Sequence, residues 1–263
     1  MAVRQWSRLN DGDFKALGMV KSGVILHLLT QLNRLDGQSR ELAKGLNFRL
    51  VLSGGKGLRY QLNCRNGALS WSDRAAFFRD ITLRGRSEGD IGAMLSGQKA
   101  RILPLPGSLK FLKTAGTFQR LASRIQDFLG GEEGKNNRDV QTLLLLEAAL
   151  CGVALVGNHD PYVSERVAHI GKGIIEVAVD DDPDWNRYLK IESGRFQYLN
   201  LRPGPARARL IFRDRETVHA VLSGSLRAMT ALGDGRIRIR GRIPMIQGLF
   251  PLLDRFSLFM TLK

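Results

Sequence analysis

Nucleophiles, carboxylates and histidines occur in this sequence, but without the spacing that catalysis or metal binding needs. Gly54 to Gly57 read GGKG, but the spacing to Lys56 and the missing Ser or Thr after it do not match a phosphate-binding loop, so the run favours a hairpin turn. His159 and Asp160 could bind a metal, but no second His/Asp cluster accompanies them. The run from Asp180 to Asp184 lacks the glycine and distal glutamate of a calcium loop. We therefore predict no catalytic, metal-binding or cofactor-binding residue and expect a protein that is not an enzyme.

The two cysteines, Cys64 and Cys151, belong to no CxxC pair and lie in apolar stretches. Buried thiols of this kind are chemically inert, and two cysteines do not make a disulfide framework. The first ten residues lack the apolar core of a signal peptide. We therefore expect a cytoplasmic protein with reduced thiols.

The formal net charge is +15, and most of it lies in the first half of the chain. Residues 1–131 hold 21 Lys and Arg against 9 Asp and Glu, whereas residues 132–263 hold 19 against 16. Such an excess indicates either an acidic partner, such as an anionic membrane surface, nucleic acid or an acidic protein, or only a solvated surface. The scattered arginines and the aromatic content of 7% argue against nucleic acid.

A long apolar run extends from Val140 to Gly157 and could be taken for a membrane span. A spanning helix needs about 20 apolar residues, whereas this run is shorter and contains Gln141 and Glu147. The pattern therefore favours a buried helix of a soluble domain.

The stretch from Asp234 to Phe259 is the most informative of the chain. Ile237 and Ile239 alternate with arginines, which predicts a strand with one buried face. Pro244 suits the first turn of a helix, and the residues after it are apolar almost all round. Such a closing helix must be buried or must cover an apolar cavity.

The elements before this stretch follow an order that repeats after a polar, glycine-rich linker. We predict a helix from Asp11 or Asp13 to about Leu35, a short helical turn and then four strands. A helix near residues 88–96, a fifth strand at Leu109 to Phe111 and a closing helix over 118–128 follow. After the linker from Gly130 to Asn137, the same order is predicted again.

The two halves align with each other at an offset of about 127–128 residues. The aligned blocks are Asp90 to Gly97 over Thr217 to Gly224, Gly107 to Phe111 over Gly235 to Ile239, and Phe118 to Phe128 over Ile246 to Phe256. Three blocks close to one register are too many for chance. We therefore predict an internal duplication, with domains at residues 12–130 and 137–263.

The second half contains a pattern made of Leu210 to Asp214 before a helix, Leu222 to Gly224 at its end, Asp234 to Gly241 and the apolar helix after them. This pattern resembles the sterol carrier protein 2 (SCP2) family. The resemblance covers residues 170–259 well and residues 12–129 more faintly. It implies an α+β fold of two tandem SCP2-like domains, the first a degenerate copy, each a mainly antiparallel five-stranded sheet with helices packed on one face.

The resemblance also implies a hydrophobic tunnel for a sterol, fatty acid or acyl-CoA. The residues that it would place at this tunnel are Ile237, Met245, Leu249, Phe250, Leu253 and Phe256, and in the first copy Phe118, Leu121, Ile125 and Phe128. In the first copy, Arg120 and Arg124 depart from the apolar pattern, which leaves open whether that cavity is filled or absent. In the second, Arg238, Arg240 and Arg242 could hold a carboxylate or phosphate at the cavity mouth, or could only keep the outer sheet face solvated.

These observations predict a non-catalytic lipid-binding carrier, without a cofactor, for a sterol-, fatty-acyl- or isoprenoid-like ligand. Two other classes stay open: a regulatory or scaffold protein whose duplicated domain contacts other proteins, and a protein whose basic first half binds nucleic acid or an anionic membrane surface. The closing helices could also be simple core.

Overall fold

The structure is a computed structural model, and it describes residues 11–55, 57–73, 80–95, 99–103, 108–167, 170–180 and 182–261. These residues divide into two compact units, the first ending at Val140 and the second beginning at Gln141. The limits 12–130 and 137–263 stay a prediction for segments that fold on their own.

The first unit begins with a long helix, and its sheet follows. Its elements are α1 (Asp11–Leu35), α2 (Gly37–Ala43), β1 (Phe48–Gly54), β2 (Leu58–Arg65), β3 (Ala68–Ser72), β4 (Ile81–Gly85), α3 (Glu88–Leu95), β5 (Ile102–Leu103), α4 (Ser108–Gly130) and α5 (Glu132–Asn136).

The second unit repeats this order with additions near its end. Its elements are α6 (Arg138–His159), α7 (Pro161–Val167), β6 (Gly173–Val179), β7 (Asp182–Glu192), β8 (Arg195–Leu199), β9 (Ala208–Phe212), α8 (Arg215–Leu222), α9 (Ala228–Gly233), β10 (Ile237–Gly241), α10 (Ile243–Gln247) and α11 (Leu249–Thr261).

Both units form a five-stranded sheet with the same topology. The strand orders are β3-β2-β1-β4-β5 and β8-β7-β6-β9-β10. The pairs β1–β4 and β6–β9 are parallel, and the other pairs are antiparallel. The predicted α+β class is therefore confirmed, with sheets that are mixed although mainly antiparallel. The shared topology is also what an internal duplication produces.

Local sequence explains the turns and helix starts that are common to both units. The hairpin turns at Asn66-Gly67 and Ser193-Gly194 have positive φ at both residues, the backbone that a tight two-residue hairpin requires. Ser87 precedes α3, and the Asp90 amide donates to its hydroxyl. Asp214 precedes α8 and accepts the Thr217 amide at 2.7 Å. Each side chain satisfies an amide that the helix itself cannot pair.

Three predicted elements were wrong in detail. Leu109 and Phe111 do not form the fifth strand, because residues 108–130 are one helix and β5 lies earlier; two alternating residues are a weak strand signal beside a long run of helix formers. The predicted linker contains α5. The closing helix of the second unit is divided at Gly248, where Ile170 occupies the space that a side chain would need.

The apolar run from Val140 to Gly157 forms the greater part of α6. Among the described residues, α6 is the one helix with the length and hydropathy to cross a membrane, and 78% of its most apolar window is buried in the protein. Burial of this extent is typical of a core helix, which is what the two polar residues in the run predicted.

Candidate functional site

The predicted wall of the second unit lies on β10, α10 and α11. Ile237, Met245 and Leu249 are buried, with exposures of 3%, 1% and 3%. Phe250, Leu253 and Phe256 are only partly buried. The positions Phe250 and Leu253 are three residues apart, so they lie on one flank of α11 beside its buried stripe. The wall therefore has a closed part and an apolar flank that is open in part to solvent.

The buried stripe of α11 holds the helix against the rest of its unit. Leu252 and Phe259 are fully buried, and neither was among the predicted wall residues. Their spacing from Leu249 (three and ten residues) follows the helical period and could have identified them. The ring of Phe256 lies against Gly152 of α6, where a methyl group would overlap it. Glycine at this position thus lets the closing helix approach α6.

The predicted wall of the first unit is closed throughout. Phe118, Leu121, Ile125 and Phe128 have exposures of 8%, 1%, 6% and 3%, and the ring of Phe118 packs 5.8 Å from that of Phe48. These four residues are three or four positions apart on α4 and form a single buried stripe. In the first unit the predicted site residues are therefore placed as core residues.

An Asp–Arg pair attaches the closing helix in each unit. In the first, Arg124 Nε donates to Asp36, which lies between α1 and α2, at 2.8 Å. In the second, Arg255 Nε donates to Asp160, which lies between α6 and α7, at 2.5 Å. Each guanidinium also lies over the phenylalanine four residues further on, at 5.5 Å in the first unit and 4.8 Å in the second. We call these two pairs the latches.

The latches correct the register of the internal repeat. They match Arg124 with Arg255 and Phe128 with Phe259, three residues beyond the register read from the sequence, which had placed Phe128 over Phe256. The additional helices α9 and α10 and the break at Gly248 account for the shift, because they add residues ahead of α11. Arg124 is thus not a departure from the pattern of the second unit.

The corrected register shows where the two closing helices differ. Phe118, Leu121 and Phe128 now match Leu249, Leu252 and Phe259, and all six are buried. The partly open positions Phe250 and Leu253 match Gln119 and Ala122 of α4. The second unit therefore carries two large apolar side chains on a flank where the first carries a polar and a small one.

A group of polar side chains is buried between α6 and the second sheet. Glu147 on α6 and Arg187 on β7 have exposures of 0% and 2%. Arg187 Nε donates to Glu147 Oε1 at 2.7 Å, and the Tyr198 hydroxyl donates to Glu147 Oε2. Arg187 Nη1 also donates to the carbonyls of Asp184 and Asn186, at 2.8 Å and 2.9 Å. We call Glu147, Arg187 and Tyr198 the polar trio.

The polar trio makes its neighbours poor acids and nucleophiles. Burial, together with the charge of Glu147 and the hydrogen bond to it, raises the pKa of Tyr198. Burial and then the charge of Glu147 raise the pKa of the Cys151 thiol. Both carboxylate oxygens of Glu147 already accept hydrogen bonds. The trio is therefore a buried network in which both carboxylate oxygens of Glu147 are hydrogen-bonded.

Apolar and aromatic residues fill the same positions in the first unit. Tyr60 holds the position of Arg187, because the two pair with the matching residues Leu52 and Val177 of the neighbouring strands. In the same way, Trp71 holds the position of Tyr198, because they pair with Leu62 and Leu189. The rings of Tyr60 and Trp71 form an edge contact at 5.6 Å. On the long helix, Val20 holds the position of Glu147 when the starts of α1 and α6 are aligned.

The sequence contains a signal for the polar trio. Glu147 is a charged residue within an apolar helix, and that is the pattern of a buried charge with a partner elsewhere in the fold. The partner could not be named, because the pairing of β7 with α6 is a tertiary contact across 40 residues of sequence.

The remaining chemical candidates have structural roles. Gly54 and Gly57 flank the β1–β2 turn, and the Gly57 amide donates to Glu88 at 3.1 Å, while Lys56 lies outside the described residues. Asp160 belongs to a latch. Of the Asp180–Asp184 run, Asp180 pairs with Arg238 and Asp182 with Arg215, and Asp181 lies outside the described residues.

The described residues contain no group of three or more His, Cys, Asp and Glu that could hold a metal ion. Cys64 and Cys151 are both buried and free. Burial raises the pKa of the Cys64 thiol to about 12, so neither thiol is a ready nucleophile at neutral pH.

Sixteen chains of solved structures match this chain, among them the following two. One is described as a UbiJ-SCP2 ubiquinone synthesis protein; it is 16% identical, and the match covers 41% of this chain and 94% of that one, with a TM-score of 0.30. The other is the sterol carrier protein domain 2 of Helicoverpa armigera, 19% identical, with 43% and 87% coverage and a TM-score of 0.31. Both names refer to SCP2, the family that the sequence resembles. No protein-family model and no curated protein matches the sequence.

Proposed function

We propose that this protein is a non-catalytic, cytoplasmic carrier that binds a sterol-, fatty-acyl- or isoprenoid-like lipid through its second unit. The observation that carries the proposal is the open flank of α11, formed by Phe250 and Leu253 where the first unit has Gln119 and Ala122. A ligand that covers partly exposed apolar side chains is stabilised by about 25 cal/mol per Å² of apolar area removed from water.

The arrangement around the flank supports a bound lipid tail. Leu249 and Leu252 hold one side of α11 in the interior, so the flank beside them stands next to the core. On the helical period Phe256 falls between Leu249 and Leu252, and its ring lies against α6, where Gly152 makes room for it. A tail placed along Phe250, Leu253 and Phe256 would therefore contact the closing helix and the long helix together. A site of this kind selects by shape and apolar area.

In this proposal the first unit is a structural copy. Its closing helix buries Phe118, Leu121, Ile125 and Phe128 and has no matching apolar flank at Gln119 and Ala122. We therefore expect one lipid per chain. The hydrogen bonds that already occupy Glu147 and the raised thiol pKa of Cys151 support a binding role without catalysis.

Native mass spectrometry of the purified chain, followed by solvent extraction and lipid analysis, tests the proposal. We expect one lipid-like ligand per chain, or uptake of one after incubation with fatty acids, acyl-CoA and quinones. The variant Phe250→Gln/Leu253→Ala installs the residues of the first unit and should lose this binding at least tenfold while staying folded, because both side chains are partly exposed. Met229, which is 71% exposed in α9, supplies the control Met229→Gln, which should bind as the wild type does.

A second candidate function is contact with another protein, because the same exposed apolar flank would suit an interface. The native masses separate the two functions. A monomer without bound lipid that takes up none on incubation would contradict the carrier function. A dimer or higher oligomer that dissociates in the variant Phe250→Gln/Leu253→Ala would favour the function as a scaffold protein.

A further inference from the structure

One end of the second sheet carries arginines that have no ion-pair partner among the described residues. Arg240 lies near the end of β10 and Arg242 follows the strand, while Arg207 precedes β9 and accepts the Arg242 amide on its carbonyl at 2.9 Å. Arg202 lies in the loop before Arg207 and donates to the Gly204 carbonyl at 3.3 Å. All four arginines are exposed, and no carboxylate in the part of the chain that the structure describes lies within ion-pair distance of them.

The opposite ends of the same strands show that pairing is the rule on this sheet. The pairs there are Arg213–Asp214 at 2.9 Å, Arg215–Asp182 at 2.5 Å, Arg236–Asp234 at 2.5 Å and Arg238–Asp180. Arg209, opposite Arg240, is paired too, with Glu176 at 2.5 Å. Along β9 and β10 the positive charge is thus neutralised at one end and left over at the other, where Lys172 and Lys190 both pair with Glu192 of β7.

Two exposed aliphatic side chains are direct sequence neighbours of two of these arginines. Ile243 directly follows Arg242 and is 51% exposed, and Leu201 directly precedes Arg202 and is 78% exposed. We call the four arginines with Leu201 and Ile243 the arginine surface. Positive charge beside exposed aliphatic groups fits a partner that offers anionic groups over an apolar layer, which is the composition of an anionic bilayer.

Two other roles, protection of the sheet edge and binding of nucleic acid, explain the arginine surface less completely than a bilayer does. Charges on an edge strand such as β10 discourage pairing with another chain, but that role does not require arginines in the loop before β9 or beyond the strand end. Single-stranded nucleic acid is bound by basic grooves with aromatic stacking platforms, and the arginine surface contains aliphatic side chains in their place.

The location of the surface is also informative. Ile243 is the first residue of α10, and α10 leads through Gly248 into α11. Met245 of α10 lies next to Gly173 together with the Arg207 side chain, so the surface is continuous with the start of the closing segment.

We propose that the arginine surface docks the second unit on an anionic lipid bilayer. The guanidinium groups bind headgroup phosphates or carboxylates, and Leu201 and Ile243 enter between the headgroups. The sequence had suggested membrane contact through the basic first half; this proposal assigns the contact to named residues of the second unit. It rests on their charge and exposure and holds whether or not the interior binds a lipid.

Vesicle co-sedimentation with the full chain tests the proposal. The probes are vesicles of phosphatidylcholine mixed with phosphatidylserine, and vesicles of phosphatidylcholine alone. We expect binding to the mixed vesicles only, weakened by added salt. The variant Arg207→Gln/Arg240→Gln/Arg242→Gln should lose about tenfold or more in affinity, because each arginine near an anionic surface contributes to binding. Ile243→Ser should weaken binding by about threefold.

The matched control is Arg213→Gln/Arg236→Gln/Arg238→Gln, which removes the same net charge from the paired end of the same strands. It should bind within about twofold of the wild type. Equal losses in both triple variants would show that only total charge matters and would overturn the proposal. Absence of wild-type binding to mixed vesicles would overturn it too, as would tighter binding of an RNA oligonucleotide with the same sensitivity to the three arginines. If the test variant is unfolded by circular dichroism, the single change Arg240→Glu replaces it.

Discussion

Each unit has a long helix packed on its sheet, and the two units place different side chains between these corresponding elements. In the first, Val20, Tyr60 and Trp71 occupy the space, with ring contact and neutral hydrogen bonds such as that from the Tyr60 hydroxyl to the Met19 carbonyl. In the second, Glu147 and Arg187 form a fully buried ion pair. Because both units keep one topology, the backbone arrangement does not depend on either solution.

The contrast shows what a buried charge pair does in this fold. Removing two charges from water costs several kcal/mol, and their attraction offsets this cost only when further hydrogen bonds satisfy the remaining groups. Tyr198 and the carbonyls of Asp184 and Asn186 supply those bonds. We therefore expect the pair to specify the position of α6 over β7 more than it adds net stability.

Breaking the polar trio should destabilise the protein more than any other change considered. Arg187→Met leaves Glu147 buried without its cation and should lower the free energy of unfolding of the second unit by about 3–5 kcal/mol. The matched change in the first unit, Tyr60→Phe, removes one neutral hydrogen bond and should cost about 1 kcal/mol. Hydrogen exchange measured by mass spectrometry on peptides of β7 and β2 reports the two units separately.

A replacement of the whole trio makes this test more stringent. Glu147→Val/Arg187→Tyr/Tyr198→Trp installs the residues of the first unit and removes the buried charge together with its partner. We expect it to recover at least half of the stability that Arg187→Met loses. A triple variant as unstable as Arg187→Met would show that the second unit cannot accept the interior of the first.

The latches should give the next largest effect, and again the second unit should be the more sensitive. Arg255→Met leaves Asp160, whose side chain is fully buried, without its cation and should cost about 3 kcal/mol. Arg124→Met should cost about 1 kcal/mol, because Asp36 is 12% exposed and keeps two hydrogen bonds from Ser39, whereas the fully buried Asp160 keeps one, from the Tyr162 amide. Hydrogen exchange of α11 and α4 peptides measures both, and equal losses would contradict the ranking.

We expect the smallest effect at the caps of α3 and α8. Both caps pair a hydroxyl residue with an aspartate three positions apart, but the two residue types are in opposite order. In the first unit Ser87 is the cap and Asp90 accepts its amide; in the second Asp214 is the cap and Thr217 donates to it. The hydroxyl of Thr217, with Arg213, holds the pKa of Asp214 at about 2 against an ordinary 3.8. Asp214→Ala should cost about 1 kcal/mol at neutral pH.

The sign of the pH dependence follows from the lowered pKa. The unfolded chain takes up the proton first as the pH falls, so the contribution of Asp214 is present above about pH 4 and is lost towards pH 2. The difference in unfolding free energy between the wild type and Asp214→Ala should therefore shrink over this range. Asp214→Asn also lacks the titrating group, so its difference from the wild type in urea unfolding followed by circular dichroism should shrink over the same range; a constant difference for either variant would contradict the assignment.

Much of the fold could be read from local patterns. Helical spacing located α1, and alternation with an Asn-Gly turn located the hairpin of β2 and β3. Leu210 to Asp214 before the small helix and Leu222 to Gly224 at its end gave the limits of α8. These features depend on neighbouring residues, which is why a single sequence contains them.

Other features depended on contacts between distant residues. The register of the closing helices could not be read from the sequence, because apolar residues recur at several offsets and only the latches select one. The partners of Glu147 lie 40 and 51 residues away, on strands whose pairing the sequence does not state. The closing helix is divided at Gly248, where Ile170, which lies far from it in the sequence, leaves no room for a side chain.

The duplicated α+β plan and the apolar character of the closing segments were readable from the chain alone, because both follow from the types and spacing of neighbouring residues. Which of those apolar residues are core and which are open became visible only once the elements were packed together. Leu249 and Phe250 are adjacent in sequence and equally apolar, but a helix turns about 100° per residue, so the first faces the interior and the second the flank. Exposure is a property of the packed molecule, and the proposed site rests on exposure.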